Sequence, residues 1–502
     1  MKRIFTLLLA AVATMAASAT DYNEVITVTI NGESTEQMGT INVTQNGEGT
    51  YDLTLRNFML NSEDGPMGVG NIEINGIAAT HDGNTLLLAT KRDITITPGD
   101  DPQVAFWMAT MLPPVPVDLR AKLEDDHLRC YIDIDLQQQL QQVIQVAVGQ
   151  GYQMLNAGFE DWHTTTGEYM EPNRWHSFES ASGSLAALAG HHIGRSTTAH
   201  TGLYAARIFA TSIFGIVANG TMTTGRMNAG SMIAADTQNH AYADVASNDT
   251  DANGDPFYMP LYSRPDALAL WVRFKQGTAN ADHPYATVSA VITDGTRYQD
   301  PEDKEYQNVI ARAKNNTIAV TGDEWVRIEI PFEYTTNTAQ PKALLVTVST
   351  NAEPGQGSNG DEVLVDDISL IYNATATAIT VKGAALPNFS TETKSYEVEA
   401  EGEVTADDIA VTTAGRSVNV TKTVQTVDEG NLWTITLYSG DMKTASRYTL
   451  LVRNGASGIH AVRGTTGGEQ HFTLDGRRAD TSANGGIVIV RQADGTVRKL
   501  LR

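Results

Sequence analysis

Asp366 and Asp367 are the side chains in this sequence best suited to bind an ion. They lie in the run Val365–Leu370, where apolar and polar residues alternate with the period of a half-buried strand. Asp366 falls on the apolar face, where an unpaired charge is costly, and Asp367 takes that place if the register is shifted. Calcium would relieve the cost, because it accepts carboxylate and carbonyl oxygens in flexible geometry. The alternative is that Asp366 accepts hydrogen bonds from backbone amides or an arginine.

A second group of carboxylates lies in an acidic loop. Residues 249–255 fit the first half of a calcium-binding loop of the D-x-D-x-N-G kind. The bidentate carboxylate expected six positions after Gly254 is missing, because Pro260 stands there. The alternative interpretation is a solvated turn with an Asn-Gly corner.

Three aromatic side chains are candidates for stacking on sugar rings. Trp175 follows a Pro-Asn-Arg turn, and Tyr258 and Tyr262 lie beside the acidic loop. An aromatic ring offers an apolar face for such a contact. The alternative for all three residues is packing inside the protein.

No recognised catalytic motif accompanies these residues. The sequence has no H-E-x-x-H, no G-x-S-x-G elbow and no P-loop. His191 and His192, with His200 or His240, lack the spacing typical of a zinc site. A glycosidase needs two carboxylates about 5–10 Å apart, which sequence spacing cannot demonstrate. We therefore identify no catalytic residue and favour a function other than catalysis.

Net charge argues against two classes of partner. The 502 residues include 35 Lys and Arg and 59 Asp and Glu, which gives a net charge of −24. Nucleic acids and anionic membranes both attract basic surfaces, so neither is expected as a partner. The single cysteine, Cys130, excludes an internal disulfide.

The first residues predict export. Lys2 and Arg3 precede an apolar run over residues 4–13, and Ala-Ser-Ala at 17–19 fits a cleavage site. We interpret residues 1–19 as a signal peptide, because the run is too short to span a membrane. The mature protein is expected outside the cell or on its outer surface, with the periplasm as the alternative.

Residues 21–150 predict a barrel. Short strands alternate with Asn-Gly turns, which is the hairpin pattern of an up-and-down barrel. The T-V-x-I-N-G-E-S-T-E opening and the run 49–58 resemble the calycin-like barrels of secreted bacterial proteins. The interior is expected to hold either its own side chains or an apolar ligand. Apolar residues at helical spacing between Asp135 and Gly149 predict a C-terminal helix that plugs the barrel or packs between domains.

Residues 152–373 are long enough for a two-sheet sandwich with a sizeable core. Several pieces follow one another in an order that resembles jelly-roll carbohydrate-binding modules, and more specifically the carbohydrate metabolism domain family: Asn156–Trp162, Pro172–Trp175, His200–Ala206, Trp325–Phe332 and Val365–Tyr372. In such modules a structural ion lies where the first strand meets the last. The resemblance therefore implies a calcium ion between Glu160 and Asp366, with Asp367 as the substitute ligand.

Two smaller regions follow. Residues 374–454 contain short strands that resemble the cadherin-like, immunoglobulin-type β-sandwich, a module that usually serves as a spacer or contacts other proteins. Residues 455–502 resemble the C-terminal sorting domain of type IX secretion cargo, although Val488 stands where tyrosine is common. The alternative for this tail is a simple terminal hairpin with a basic tip.

Together these features predict an all-β protein with a calycin-like barrel, a central jelly-roll sandwich, a second sandwich and a terminal hairpin. The function that fits best is a secreted, non-catalytic protein that binds a polysaccharide or another glycan. The alternative is a surface structural or adhesion protein that engages other proteins. A glycoside hydrolase comes third.

Overall fold

The computed structural model describes residues 18–47, 49–61, 65–124, 126–165, 167–213 and 215–455, together with the backbone of short strands beyond them. The regular secondary structure of these residues is almost entirely β-strand, which confirms the predicted all-β class. They divide into two compact units. The first contains the chain up to Ser263 and Ala267–Leu370, and the second contains Arg264–Asp266 and the chain from Ile371 onward.

The predicted signal peptide lies outside the described residues except for its last two positions. Within the described part of the chain, helices fall short of the length and apolarity needed to cross a bilayer.

The N-terminal region is one antiparallel sheet. Its strands are β1 (Ala19–Ile30), β2 (Glu33–Gln45), β3 (Tyr51–Leu60), β4 (Met67–Ile77), β5 (Ala79–Asp82), β6 (Thr85–Ile94), β7 (Val115–Glu124), β8 (His127–Leu136) and β9 (Gln142–Val148). Their order in the sheet is β4-β3-β2-β1-β9-β8-β7-β6-β5. Ile26, Ile41, Leu88 and Cys130 belong to a buried cluster contributed by strands along the whole sheet. One face of this sheet, the interior of the predicted barrel, is therefore filled by the protein's own side chains.

The predicted helix at the end of the barrel is wrong except for one turn. The helix α1 covers only Gln137–Leu140, and Gln141 then adopts a left-handed conformation with φ 56°. The chain continues as β9, which pairs with both β1 and β8. Sheet pairing and the burial of Val148 outweigh the helical spacing of the apolar residues, because tertiary contacts override local propensity.

The central region consists of short strands: β10 (Trp162–Thr164), β11 (Met170–Pro172), β12 (Ile193–Ser196), β13 (Ala205–Phe209), β14 (Thr211–Ile213), β15 (Ile216–Ala218), β16 (Thr221–Thr223), β17 (Arg226–Asn228), β18 (His240–Ala243), β19 (Met259–Pro260), β20 (Ala267–Lys275), β21 (Ala286–Thr293), β22 (Tyr298–Asp300), β23 (Val309–Ile318), β24 (Val326–Pro331), β25 (Glu333–Tyr334), β26 (Ala343–Ser349) and β27 (Glu362–Ile371). Single turns of 3-10 helix occur at Met108–Thr110, Phe178–Ser180, Ala186–Leu188 and, in the second unit, Ala406–Asp408.

Two larger sheets form the body of the central region. One has the order β12-β13-β27-β20-β24, and the other has the order β16-β26-β21-β23-β25 with β19 beside β26. In β21 and β26, alternate residues are apolar and fully buried, among them Val288, Ala290, Val346 and Val348. Side chains alternate across a strand, so the polar residues between these positions lie on the opposite face of the sheet.

The second unit contains two sheets around its own core. Its strands are β28 (Ala376–Val381), β29 (Ala384–Ala385), β30 (Ser395–Glu401), β31 (Ile409–Thr413), β32 (Val418–Val427), β33 (Gly430–Ser439) and β34 (Ala445–Gly455). The sheet orders are β29-β28-β31 and β32-β33-β34-β30-β35, and the buried cluster includes Trp433 and Tyr448. The remaining strands are β35 (Val462–Gly464), β36 (Gln470–Phe472), β37 (Ile487–Arg491) and β38 (Val497–Leu501). The last two pair as the predicted terminal hairpin.

Candidate functional site

A cleft of about 350 Å³ lies over the polar face of the sheet that contains β21 and β26. One row of polar side chains crosses four strands beneath it. Thr221 pairs with Ser349, and Ser349 pairs with Thr287 on its other side. The row ends where Thr287 Oγ1 donates a hydrogen bond of 2.7 Å to Asn316 Oδ1. Because neighbouring strands place paired residues side by side, these groups form one continuous polar floor.

A second polar row lies next to the first. Ser289 pairs with Thr347 on one side and with Lys314 on the other. Ser289 Oγ donates a hydrogen bond of 2.7 Å to Asp300 Oδ2, and Lys314 is exposed. Nearby, the buried Oδ1 atom of Asn219 has no hydrogen-bond partner among the described residues. The floor thus offers hydroxyl, ammonium and amide groups to a ligand.

Loops supply the apolar walls of the cleft. Phe178, Leu188, Ile216 and Met232 line its sides. The last three are 49%, 42% and 50% exposed, which is high for large apolar side chains. A ligand seated here would therefore contact apolar walls and a polar floor at once.

Asp300 is the only carboxylate among the described residues that line the cleft. Glycoside hydrolysis ordinarily needs two carboxylates on either side of the scissile bond. That pair is not found among these lining residues. The arrangement is suited to binding hydroxyl groups and apolar ring faces.

The prediction that Trp175 stacks on a sugar is wrong. Trp175 is fully buried, its Nε1 donates to the Leu155 carbonyl at 3.2 Å, and its ring packs against Phe159 with centroids 5.2 Å apart. Phe159 is itself fully buried. The turn before Trp175 directs the indole inward, where it fills the core beneath the opening run.

The other two predicted aromatics differ from each other. Tyr262 stacks on His127 of the barrel with ring centroids 4.2 Å apart, and Gly151 lies directly against its ring. Tyr262 therefore packs between the barrel and the central sheets, which corrects the prediction of sugar stacking. Tyr258 is partly buried and packs beside a cluster that includes Met227, a residue lining the cleft. A contact between Tyr258 and a ligand stays a prediction.

The carboxylates predicted to bind calcium all contact one segment, residues 200–204; we call Glu160, His200, Asp366 and Asp367 the Asp366 cluster. Asp366 is fully buried and accepts hydrogen bonds from the backbone N–H groups of His200 at 2.7 Å and Asp367 at 2.8 Å. His200 Nδ1 lies 2.6 Å from Asp367 Oδ2. Glu160 accepts from backbone N–H groups of the same segment. The amide hydrogen bonds considered as the alternative to calcium are therefore present.

Negative charge is nevertheless poorly compensated in the Asp366 cluster. Burial raises the pKa of Asp366 to about 8, and the neighbouring Asp367 adds to the rise. Burial also raises the pKa of Glu160. Among the described residues, Glu160, Asp366 and Asp367 do not bring three side-chain ligand atoms within 4.8 Å of one another. Calcium at this place stays a prediction.

Sequence reasoning missed the cleft floor, although one pattern indicated it. Hydroxyl residues alternate with apolar ones in both β21 and β26, where Thr287, Ser289, Thr347 and Ser349 share one face. That alternation predicts a polar sheet face. It does not reveal that loops such as the one with Met232 rise beside that face and make it a cleft.

Comparisons with known proteins bear mainly on the barrel. The family model of the calycin-like β-barrel domain matches residues 19–148, which confirms the predicted resemblance of that region. No curated protein matches the chain.

Two solved structures resemble the chain weakly. One concerns the promiscuous specificity of carbohydrate-binding modules from the β-sandwich superfamily; it is 11% identical, with a TM-score of 0.21, and the match covers 64% of this chain and 92% of that one. The other is a bifunctional GH43-CE protein from Bacteroides eggerthii, 11% identical, with a TM-score of 0.17 and coverage of 77% and 59%. Both TM-scores are too low to indicate a shared fold.

Proposed function

We propose that this chain is a non-catalytic glycan-binding protein and that the cleft over β21 and β26 is its binding site. The observation that carries the proposal is the pairing of a floor of hydroxyl, amide and ammonium groups with apolar walls. Ligand pockets typically combine apolar lining with a few placed polar groups. A sugar presents hydroxyl groups at its ring edge and C–H groups on its faces, so both parts of the cleft have a matching partner.

Two polar groups of the floor provide the test. A glycan array with the full chain identifies a ligand, and calorimetry then measures its affinity. Thr287→Val removes a hydroxyl without changing the shape of the side chain, and Lys314→Met removes an exposed ammonium group. Each loses a hydrogen bond to the ligand, so each should weaken binding about tenfold.

Matched controls are exposed residues that do not line the cleft. Thr317→Val changes an exposed threonine of β23, and Lys342→Met changes an exposed lysine. Both should bind like the unchanged chain. An array on which no glycan binds, or equal affinities for Thr287→Val and Thr317→Val, would overturn the proposal.

A protein ligand is the second candidate. The exposed side chains of Leu188, Ile216 and Met232 form an apolar rim, and such patches mark protein contacts more often than chance. Replacing all three by serine would then abolish capture of a surface protein while Thr287→Val would not. This result, with an array on which nothing binds, would establish the adhesion function in place of glycan binding.

Export is the cellular part of the proposal. The apolar run after Lys2 and Arg3 would direct the chain across the inner membrane, and the tail from Gly458 would direct it across the outer one. Deleting residues 458–502 should then retain the protein in the periplasm. Normal surface levels of the truncated chain would show that the tail has no sorting role.

Calcium in the Asp366 cluster is the cofactor part of the proposal. Three carboxylates lie around residues 200–204, and burial raises the pKa values of Asp366 and Glu160 because it disfavours their charged forms. A calcium ion would stabilise those charged forms. Its role would be structural, because Asp366 and Asp367 lie on β27 and Glu160 lies in the run Asn156–Trp162, so the ion would join these two segments.

A further inference from the structure

Two histidines and an aspartate converge inside the central region, and none of them lines the cleft. Nε2 of His163 and Nε2 of His176 each lie 3.4 Å from Oδ2 of Asp251. A carboxylate oxygen of Asp255 lies within 4.8 Å of the facing atoms of His163 and Asp251. The side chains of His176 and Asp251 are completely buried, and that of His163 is 9% exposed. We call these four residues the Asp251 cluster.

The facing atoms of this cluster have no hydrogen bonds. Nε2 of His163, Nε2 of His176 and Oδ2 of Asp251 are buried and lack a hydrogen-bond partner in the part of the chain that is described. Buried polar atoms are nearly always paired, because an unpaired one has lost its water without compensation. One cation bound by His163 Nε2 and Asp251 Oδ2 would satisfy two of these atoms at once.

Other contacts orient the side chains of His163 and Asp251 toward each other. His163 Nδ1 lies 3.1 Å from Asn173 Oδ1, which orients the ring and leaves Nε2 free. Asp251 Oδ1 accepts from the backbone N–H groups of Asn253 at 2.9 Å and Asp255 at 2.8 Å, which leaves Oδ2 free. Supporting hydrogen bonds of this kind are typical around protein metal ligands.

The donor set and its spacing indicate which ion fits. Adjacent ligands of a tetrahedral ion with bonds of about 2.0–2.1 Å are about 3.4 Å apart, which matches the contact of Asp251 with His163. A carboxylate oxygen of Asp255 completes a set of three ligand atoms within 4.8 Å of one another. Imidazole nitrogen suits zinc and related metals, whereas calcium prefers oxygen ligands only. We propose that His163, Asp251 and Asp255 bind a divalent transition-metal ion of the zinc type, with His176 beside Asp251.

The position of the cluster points to a structural ion. His163 lies on β10, and His176 follows β11, where its backbone N–H donates to the Thr223 carbonyl at 2.7 Å. Asp251 lies in the acidic loop. The ion would therefore hold the acidic loop against the hairpin formed by β10 and β11. The burial of its ligands is typical of a closed, structural site. The inward turn of Asp251 also corrects the interpretation of residues 249–255 as a merely solvated turn.

The test uses the full chain without an affinity tag, stripped with EDTA and dialysed. Zinc should bind with a stoichiometry of one per chain and raise the melting temperature, because it binds only the folded state. Cobalt should give the visible absorption bands of a tetrahedral site. Asp251→Asn and His163→Gln should each weaken zinc binding at least about tenfold, as the loss of supporting contacts alone does.

Controls separate this site from adventitious binding. Asp249→Asn changes a carboxylate of the same loop that is 66% exposed, and His191→Gln changes a histidine outside the cluster; both should bind zinc normally. Near-ultraviolet circular dichroism in EDTA shows whether each variant folds. The cobalt spectrum is measured on the unchanged chain, so it tests the site even if a variant does not fold. Absence of stoichiometric zinc, or equal zinc affinity in Asp251→Asn, would leave an ion pair only and overturn the inference.

Discussion

The cleft floor and the surroundings of Trp175 differ in the side chains they contain. The floor exposes polar side chains to the ligand space, and the region around Trp175 buries aromatic ones. In the cleft, hydroxyl and amide groups of Thr287, Ser349 and Asn316 face the ligand space, and Phe178 alone among the described lining residues is aromatic. Around Trp175, the aromatic ring is buried against Phe159. The aromatic residues of this region therefore stabilise the fold, and the candidate binding surface is made by polar groups on a sheet.

This difference has a consequence for the kind of ligand. A flat aromatic platform favours stacking on ring faces, whereas a hydrogen-bonding floor in a cleft favours a single flexible chain whose hydroxyl groups it can pair. We therefore expect soluble oligosaccharides to bind better than crystalline polysaccharide. Trp175→Ala and Tyr258→Ala test the division between a stabilising aromatic region and a binding polar region, and Asp366→Asn and Glu36→Gln test two carboxylates outside the cleft.

The largest effect is expected for Trp175→Ala. Emptying a fully buried indole site should reduce the free energy of unfolding by about 3–5 kcal/mol. Glycan affinity at a temperature where the variant is folded should be unchanged. Urea denaturation and calorimetry measure the two quantities. Weaker binding with normal stability would place Trp175 at the binding site after all.

Asp366→Asn should have the next largest effect. Its new amide donor would face the backbone N–H of His200, so we expect a loss of about 2 kcal/mol in unfolding free energy. Calcium should raise the melting temperature of the unchanged chain and of Asp361→Asn, a buried aspartate elsewhere, but not of Asp366→Asn. A melting temperature that responds to neither calcium nor EDTA in any of these proteins would contradict the calcium site.

A smaller, pH-dependent effect is expected for Glu36→Gln at the junction of barrel and sandwich. Glu36 Oε1 accepts from the Asn156 backbone N–H at 2.7 Å. Burial raises the pKa of Glu36 to about 7, Asp161 and Asp255 add to the rise, and Arg174 opposes it. The folded state therefore binds more protons than the unfolded state between about pH 4.5 and 7, and stability falls as pH rises through this window.

Glu36→Gln removes this proton uptake. The unfolding free energy of the variant, measured in EDTA, should fall less between pH 4.5 and 7 than that of the unchanged chain. Denaturation in urea at several pH values gives the comparison. Identical pH profiles for the two proteins would show that Glu36 has the same pKa in the folded and unfolded states and would contradict its raised pKa in the folded state.

The smallest effect is expected for Tyr258→Ala. Tyr258 packs beside Met227 at the edge of the cleft, and one aromatic contact contributes about 0.5–1.5 kcal/mol beyond its buried area. Glycan affinity should therefore fall about threefold or more. Tyr262→Ala is the matched control. Tyr262 stacks on His127, so its loss should lower stability and leave glycan affinity unchanged. Equal affinities in both variants would remove Tyr258 from the site.

Features encoded by local pattern could be predicted from the sequence. The Asn-Gly turns predicted the hairpins of the barrel, and the alternation around Asp366 predicted its inward position. The strand β9 could not be predicted, because the apolar spacing after Asp135 suits a helix. The segment is a strand because it pairs with β1 and β8. Local pattern thus identifies a face of an element, and tertiary pairing decides which element forms.

The sites depend on residues far apart in the chain. The cleft floor joins Thr221 to Thr287 only through β26, which follows both in sequence. His163 and His176 meet Asp251 across more than one loop, and no motif spacing marks this meeting. Trp175 follows a Pro-Asn-Arg turn, which predicts exposure, yet the left-handed residue Arg174 precedes a fully buried ring.

Diffraction from crystals soaked with the oligosaccharide that the array identifies tests the central claim most directly. We predict sugar density over β21 and β26, with hydroxyl groups in hydrogen-bond contact with Thr287, Asn219 or Lys314 and a ring face against the wall at Leu188. Sugar density elsewhere on the chain, with the cleft unchanged, would contradict the account.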